Sequence, residues 1–155
     1  MSRYAGTTVV PSERSRTEIE RTLSRYGADQ FLYGWSGDDA RVGFRLHGRQ
    51  IIYRVPLPDQ NSDEFRLTPT GQERAAHTQR AGYEQAIRQR WRALALVIKA
   101  KLEAVDAGIT TIEDEFLANT MLPDGQTVGD WAEPMLQEVY LSGKMPMALL
   151  PGMVS

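Results

Sequence analysis

The sequence predicts an α+β fold in which one long helix covers a three-stranded antiparallel β-meander, with further helices flanking it at the N- and C-terminal ends. One stretch has apolar residues at alternate positions, and a longer stretch has them at helical spacing. The 155 residues favour a single domain, 1–155. We divide it into a helix and meander in 1–58, a long polar loop in 59–80, and a helical part with an apolar tail in 81–155.

The composition is that of an ordinary globular chain, with 41% hydrophobic and 25% charged residues. Lys and Arg total 18 against 20 for Asp and Glu, and the net charge of -2 provides no broad field for wrapping a nucleic acid. The absence of cysteine excludes disulfides and thiolate chemistry. His47 and His77 lie far apart without metal-binding spacing, so we predict no metal site. We also predict no cofactor.

No stretch approaches the roughly 18 apolar residues that span a bilayer, and the N-terminal apolar run is too short for a signal peptide. We therefore expect a cytoplasmic protein without a membrane partner.

The first helix is predicted within 11–27, where Ile19, Leu23 and Tyr26 recur at helical spacing before Gly27. Alternating Glu and Arg cover the rest of its surface. This pattern is more typical of a solvated face than of a binding site.

Runs of alternating residues at 30–35, 40–47 and 50–57 predict the strands of the meander. Two-residue turns at 37–38 and 48–49 would place Tyr33 opposite Val42, Phe44 opposite Tyr53, and Leu46 opposite Ile51. One face is then the core face, with Phe31, Tyr33, Trp35, Val42, Phe44, Leu46, Ile51, Tyr53 and Val55. The opposite face combines three arginines with two glycines: Leu32, Gly34, Arg41, Gly43, Arg45, Ile52 and Arg54.

The polar segment 59–80 is interpreted either as a mobile connection or as a lid over the arginine face. The long helix is predicted from about Ala81 to Ala107, before Gly108. Its large apolar residues should cover the core face of the sheet. A neighbouring alanine stripe should let another helix approach, from the same chain or from a second subunit: Ala86, Ala93, Val97, Ala100 and Ala104.

We expect a homo-oligomer that forms through this alanine stripe or through the apolar, proline-broken tail at 145–153. A short helix to about Asn119 and a last helix, which begins at Thr127 or Asp130 and ends before Gly143, should precede the tail.

Four cations on the long helix are candidates for an ion pair or for binding an anion. Arg90 and Lys101 project beside the apolar stripes, so we predict partial burial and an ion pair with one of the acids at 113–115. Arg88 and Arg92 lie one turn apart on the polar side, where they could clamp a phosphate or simply form a solvated basic face.

No motif for phosphate loops, acyl transfer or paired acid/base catalysis occurs, so we assign no catalytic residues and favour a binding protein over an enzyme. The remaining chemical signal is arginine, on the sheet face (Arg41, Arg45, Arg54) and on the long helix (Arg88, Arg92). Guanidinium groups bind phosphates and carboxylates bidentately, and a focused cluster suits a compact anionic ligand. Tyr4, Phe65 or Tyr83 could stack on such a ligand.

Six stretches spread over nearly the whole chain carry a further signal: RYGA at 25–28, RWRALALVIKAKLEAV at 90–105, GITT at 108–111, EFLA at 115–118, LPDG at 122–125 and LLPG at 149–152. Together they resemble a family of short proteins encoded in bacteriophages and prophages. The resemblance implies no activity and no site residues. It implies a setting in an infected host cell and a role in counter-defence or in replication and recombination.

We therefore expect a non-enzymatic phage accessory protein that acts against host defence in the host cytoplasm. It would capture a small anionic, nucleotide-like ligand or block a host defence protein. The alternative is a nucleic-acid-binding accessory protein of phage replication or recombination.

Overall fold

The computed structural model describes residues 11–146, so Tyr4 and most of the apolar tail lie outside the described residues. The predicted α+β architecture is confirmed, because three strands form one antiparallel sheet in the order β1-β2-β3 and one long helix covers it. The elements are α1 (Glu13–Ser24), β1 (Asp29–Ser36), β2 (Asp39–Leu46), β3 (Arg49–Pro56), α2 (Asp63–Arg66), α3 (Ala76–Asp106), α4 (Ile112–Glu115), a 3-10 turn (Leu117–Asn119) and α5 (Val128–Ser142).

Helix α1 has a local cap at its start and is fixed on α3 through its apolar side and the residues that follow it. Ser12 caps it, accepting a hydrogen bond from the Ser15 backbone N–H, and Ile19 and Leu23 are fully buried in the core shared with α3. After the helix, the Tyr26 hydroxyl donates to the Asp106 carboxylate at 2.5 Å. These contacts set how α1 lies along α3.

The predicted register is confirmed between β1 and β2, where Tyr33 lies opposite Val42. Between β2 and β3 it is wrong, since Phe44 lies opposite Ile51 and Val42 opposite Tyr53. The turn is formed by His47 and Gly48, with φ of 51° and 74°, the two left-handed residues that a type I′ hairpin needs. Each residue of β2 is therefore paired with a residue of β3 two positions earlier than predicted. Because side chains alternate between the two faces of a sheet, a shift of two residues leaves every side chain on its predicted face.

The core face of the sheet is buried under α3. Trp35 is an exception to the prediction: it lies near the turn on the edge strand β1 and is 54% exposed. The large stripe of α3 is buried as predicted, with Ile87, Trp91, Ile98 and Leu102 each at 1% exposure or less. The buried sheet residues are Ala40, Val42, Phe44, Leu46, Ile51, Tyr53 and Val55.

The expected loop at 59–80 is shorter than predicted. Helix α3 already begins at Ala76, and the preceding segment contains the one-turn helix α2. Phe65 of α2 is buried and meets the Tyr83 ring edge-on, with ring centroids 5.7 Å apart. The segment is thus tied to the start of α3, on the side of the sheet away from the arginine face, and does not form a lid over that face.

One predicted ion pair is present and the other is not. The Lys101 Nζ lies 3.9 Å from the Glu115 carboxylate and donates to the Glu115 carbonyl at 2.9 Å. Arg90 is instead exposed, and within residues 11–146 it forms no ion pair with an acidic side chain. The alanine stripe is also largely open: Ala93, Val97 and Ala100 are exposed.

The C-terminal elements are joined to the sheet at its β3 edge. Phe116 is buried against the rings of Phe44 and Tyr53, and the Met121 N–H donates to the Gln50 carbonyl at 2.8 Å. Helix α5 then begins at Val128 and is capped by Thr127, whose side chain accepts from the Asp130 N–H. Among the described helices, none is both long and apolar enough to cross a membrane.

Candidate functional site

A groove of about 340 Å³ lies between α1 and α3, and all of its lining side chains are polar. We call it the helix groove. Helix α1 and its cap contribute Ser12, Arg14, Ser15 and Glu18, and α3 contributes Gln85, Arg88, Gln89 and Arg92.

The packing of the two helices brings these side chains together. On α3, Arg88 and Arg92 lie one turn apart, so their side chains project in nearly the same direction. On α1, burial of Ile19 and Leu23 against the core leaves Arg14 beside the same stretch of α3. The structure thus joins the two predicted helix arginines to a third that the sequence did not single out.

The helix groove is electropositive. Of its lining residues, three are arginines and only Glu18 is acidic. Within residues 11–146, none of these arginines forms an ion pair with a carboxylate. The hydroxyls of Ser12 and Ser15 lie 3.3 Å apart and also line the groove. They belong to the N-terminus of α1, which is the positive end of the helix dipole. Guanidinium groups with hydroxyl and amide donors form a set suited to phosphate oxygens.

No aromatic side chain is among the described lining residues. Phe65 and Tyr83, predicted as stacking partners, pack on each other instead, and Tyr4 lies outside the described residues. The described lining of the helix groove therefore offers charge and hydrogen-bonding groups, without an aromatic surface for stacking.

The predicted sheet arginines lie elsewhere, on the outer face of the sheet. Arg41 is directly opposite Arg54, whereas Arg45 is opposite Gln50. Arg54 forms an ion pair with Asp130 of α5, and the Nε atom of Arg41 is buried without a hydrogen-bond partner. The five predicted arginines thus form two separate groups.

Acidic residues near these surfaces have structural partners. The Arg54 guanidinium holds the pKa of Asp130 below its ordinary value, and a hydrogen bond from His47, 3.0 Å away, lowers the pKa of Glu113. Burial raises the pKa of Tyr53, whose hydroxyl has no hydrogen-bond partner in the core. Within the described part of the chain, no group of three or more His, Asp or Glu residues could hold a metal ion.

Comparisons of the chain with protein-family models, with curated proteins and with solved structures gave no match. The helix groove and the outer sheet face are therefore interpreted from their own geometry.

Arg14, Ser12 and Ser15 were missed by sequence reasoning. The alternation of Glu and Arg on α1 indicated a solvated face, and most of that face is indeed exposed. The useful signal would have been Ser12 as a helix cap two positions before Arg14, since caps and basic residues at a helix start often meet anions.

Proposed function

We propose that the protein is a non-enzymatic binding protein whose helix groove captures a small phosphate-bearing ligand. This proposal depends on one observation. Arg14 of α1 lines the same groove as Arg88 and Arg92 of α3, and none of the three forms an ion pair within the described residues. Side-by-side guanidinium groups repel one another unless an anion lies between them. A phosphate group bound bidentately would relieve this repulsion.

The size of the helix groove favours a small ligand over a long polyanion. Its volume of about 340 Å³ falls at the lower end of the range typical of small-molecule sites. A nucleic acid requires basic residues along an extended path, whereas these three arginines share one groove in a chain of net charge -2.

The resemblance to phage-encoded proteins supports a setting in an infected cell. There, capture of a phosphate-bearing signal molecule would withdraw it from a host defence protein, without any need for turnover. In the other form of this role, the protein would bind the host defence protein directly and block it without using the helix groove.

The test is direct titration by calorimetry with inorganic phosphate, pyrophosphate, and linear and cyclic nucleotides. We expect at least one of these probes to bind with 1:1 stoichiometry. Arg88→Ala and Arg92→Ala should each weaken that binding by about ten- to a hundredfold, the loss typical of a hydrogen bond to a charged group. Arg90→Ala is the matched control, because Arg90 is exposed on the same helix but does not line the groove.

Two results would count against capture of a small ligand. If no probe binds, or if Arg88→Ala binds as the wild type does, the helix groove is not the site. If an oligonucleotide binds instead, with affinity that falls steeply with salt and a slope that Arg88→Ala and Arg92→Ala reduce, the nucleic-acid alternative is favoured.

A further inference from the structure

The outer face of the sheet carries an apolar row between a basic row, which holds Arg41 and Arg54, and a mixed row, in which Arg45 lies between Asp29 and Gln50. Leu32, Gly43 and Ile52 lie opposite one another across the strands, and Leu32 is 73% exposed. Gly43 leaves a depression in the middle of this row. The three rows are Gly34–Arg41–Arg54, Leu32–Gly43–Ile52 and Asp29–Arg45–Gln50.

This face has features of an incomplete contact. Arg41 and Arg54 are like charges directly opposite each other, an arrangement that destabilises a sheet unless anions compensate. Asp130 neutralises Arg54, but the Nε of Arg41 is buried without a partner. A side-chain atom added at Gly34 would meet nothing within 4 Å, so the surface beside Arg41 is open.

Helix α5 has the complementary chemistry. It is 15 residues long, yet none of its residues is buried. A helix of this length is marginal in water unless another surface covers its apolar side. Exposure is greatest in its second half, with Tyr140 at 87% and Leu141 at 78%. Its charged residues are all acidic: Asp130, Glu133 and Glu138.

We propose that two copies of the chain form a reciprocal dimer, in which the part of α5 from Glu133 onward in each copy lies on the outer sheet face of the other. Charge complementarity selects this partner. The apolar residues of α5 would cover Leu32 and Ile52. Its carboxylates would meet Arg41 and Arg45, neither of which forms an ion pair within residues 11–146. The pair between Asp130 and Arg54 within one chain is an example of the same contact.

Two other dimers are the alternatives. Packing α5 on a second α5 would bring acidic residues together without a compensating cation on either helix. In the other, the open alanine stripes of two α3 helices would pack together, and the Leu96→Glu variant tests this arrangement. The reciprocal dimer does not involve the helix groove and is independent of the proposed ligand.

Sedimentation velocity over a range of concentrations tests the proposal on the full chain. The wild type should be a dimer, and Leu32→Glu and Tyr140→Glu should each be monomeric although they lie on different elements. Leu96→Glu is the matched control: Leu96 is 56% exposed beside the alanine stripe, and this variant should stay dimeric. Far-UV circular dichroism and thermal melting show that each variant is folded.

Neutralising the acidic residues of α5 distinguishes the reciprocal dimer from a dimer in which α5 packs on a second α5. The double variant Glu133→Gln and Glu138→Gln should raise the dimer dissociation constant by about three- to tenfold, as expected for partly exposed ion pairs. Packing of α5 on α5 would respond in the opposite direction, because a repulsion would be removed. A monomeric wild type, a folded Leu32→Glu dimer, or loss of the dimer only in Leu96→Glu would each overturn the proposal.

Discussion

Phe116 is the residue through which the C-terminal elements are fixed to the core. Its ring is 1% exposed and meets Phe44 and Tyr53 edge-on, with ring centroids 6.2 and 6.3 Å away. Phe116→Ala should lower the free energy of unfolding by about 3–5 kcal/mol, since it removes a large buried ring and leaves a cavity. Urea denaturation followed by tryptophan fluorescence measures the change.

Leu117 is the natural control for Phe116, since it is the next residue and is 48% exposed. Leu117→Ala should change stability by less than about 1 kcal/mol, because little apolar area leaves the interior. Equal losses for the two variants would show that Phe116 does not occupy the core position described above.

At the scale of elements, two glycines within helices lead to opposite expectations. An added Cβ at Gly82 of α3 would meet only the Phe65 side chain, at 3.5 Å, an ordinary contact. Gly82→Ala should therefore stabilise the protein by about 0.5–1 kcal/mol, the helix propensity gained. At Gly129 of α5 the same atom would lie 3.0 Å from the Ala118 backbone carbonyl, which cannot easily move.

Gly129→Ala should consequently stabilise less than Gly82→Ala or destabilise the protein. Chemical denaturation of the two variants side by side decides the matter. A larger gain for Gly129→Ala would mean that α5 approaches the 3-10 turn less closely than the structure shows.

The sequence was sufficient for the elements whose signals are local. Alternation of residues located all three strands, and helical spacing identified the buried stripe of α3. The start of α3 was missed because Ala75, the residue before it, makes no side-chain capping bond and so leaves no signature. The second turn was misplaced by one residue because a histidine occupies a left-handed position usually taken by Asn, Asp or Gly.

The candidate site could be predicted from the sequence only in part, for a different reason. That Arg88 and Arg92 share a helix face follows from spacing alone. Arg14 lies beside this pair of arginines only because of the way α1 lies along α3. That arrangement is fixed by contacts between residues far apart in the sequence, such as the hydrogen bond from Tyr26 to Asp106. Long-range packing of this kind has no local pattern in a single sequence.

Considered as a whole, the molecule separates its two basic surfaces. The helix groove lies among the helices on the core side of the sheet, whereas Arg41, Arg45 and Arg54 lie on the outer face. The net charge of -2 is an average over these surfaces and the acids of caps, turns and α5. Substitutions on one surface or the other should therefore alter the proposed ligand capture and the proposed self-association independently.

The carboxylates of the whole chain also determine its response to acid. Asp130 and Glu113 both have folded-state pKa values below their ordinary values of 3.8 and 4.5, because Arg54 and His47 bind their charged forms. Their contribution to stability is complete above those ordinary values and is lost as the pH falls through the lower folded-state pKa values, since the unfolded chain takes up protons first. The urea midpoint should therefore fall between pH 6 and about pH 3.

Asp130→Asn and Glu113→Gln test which groups are responsible for this acid sensitivity. Each variant should be less stable than the wild type at pH 6 and should lose less of its stability on acidification, because one titrating contact is already absent. Ala substitution of Glu133, whose carboxylate forms no ion pair within residues 11–146 of one chain, is the control. Measurement at protein concentrations below the dissociation constant of the proposed dimer keeps association out of the comparison. An unchanged pH dependence in Asp130→Asn and Glu113→Gln would show that other carboxylates govern the acid response.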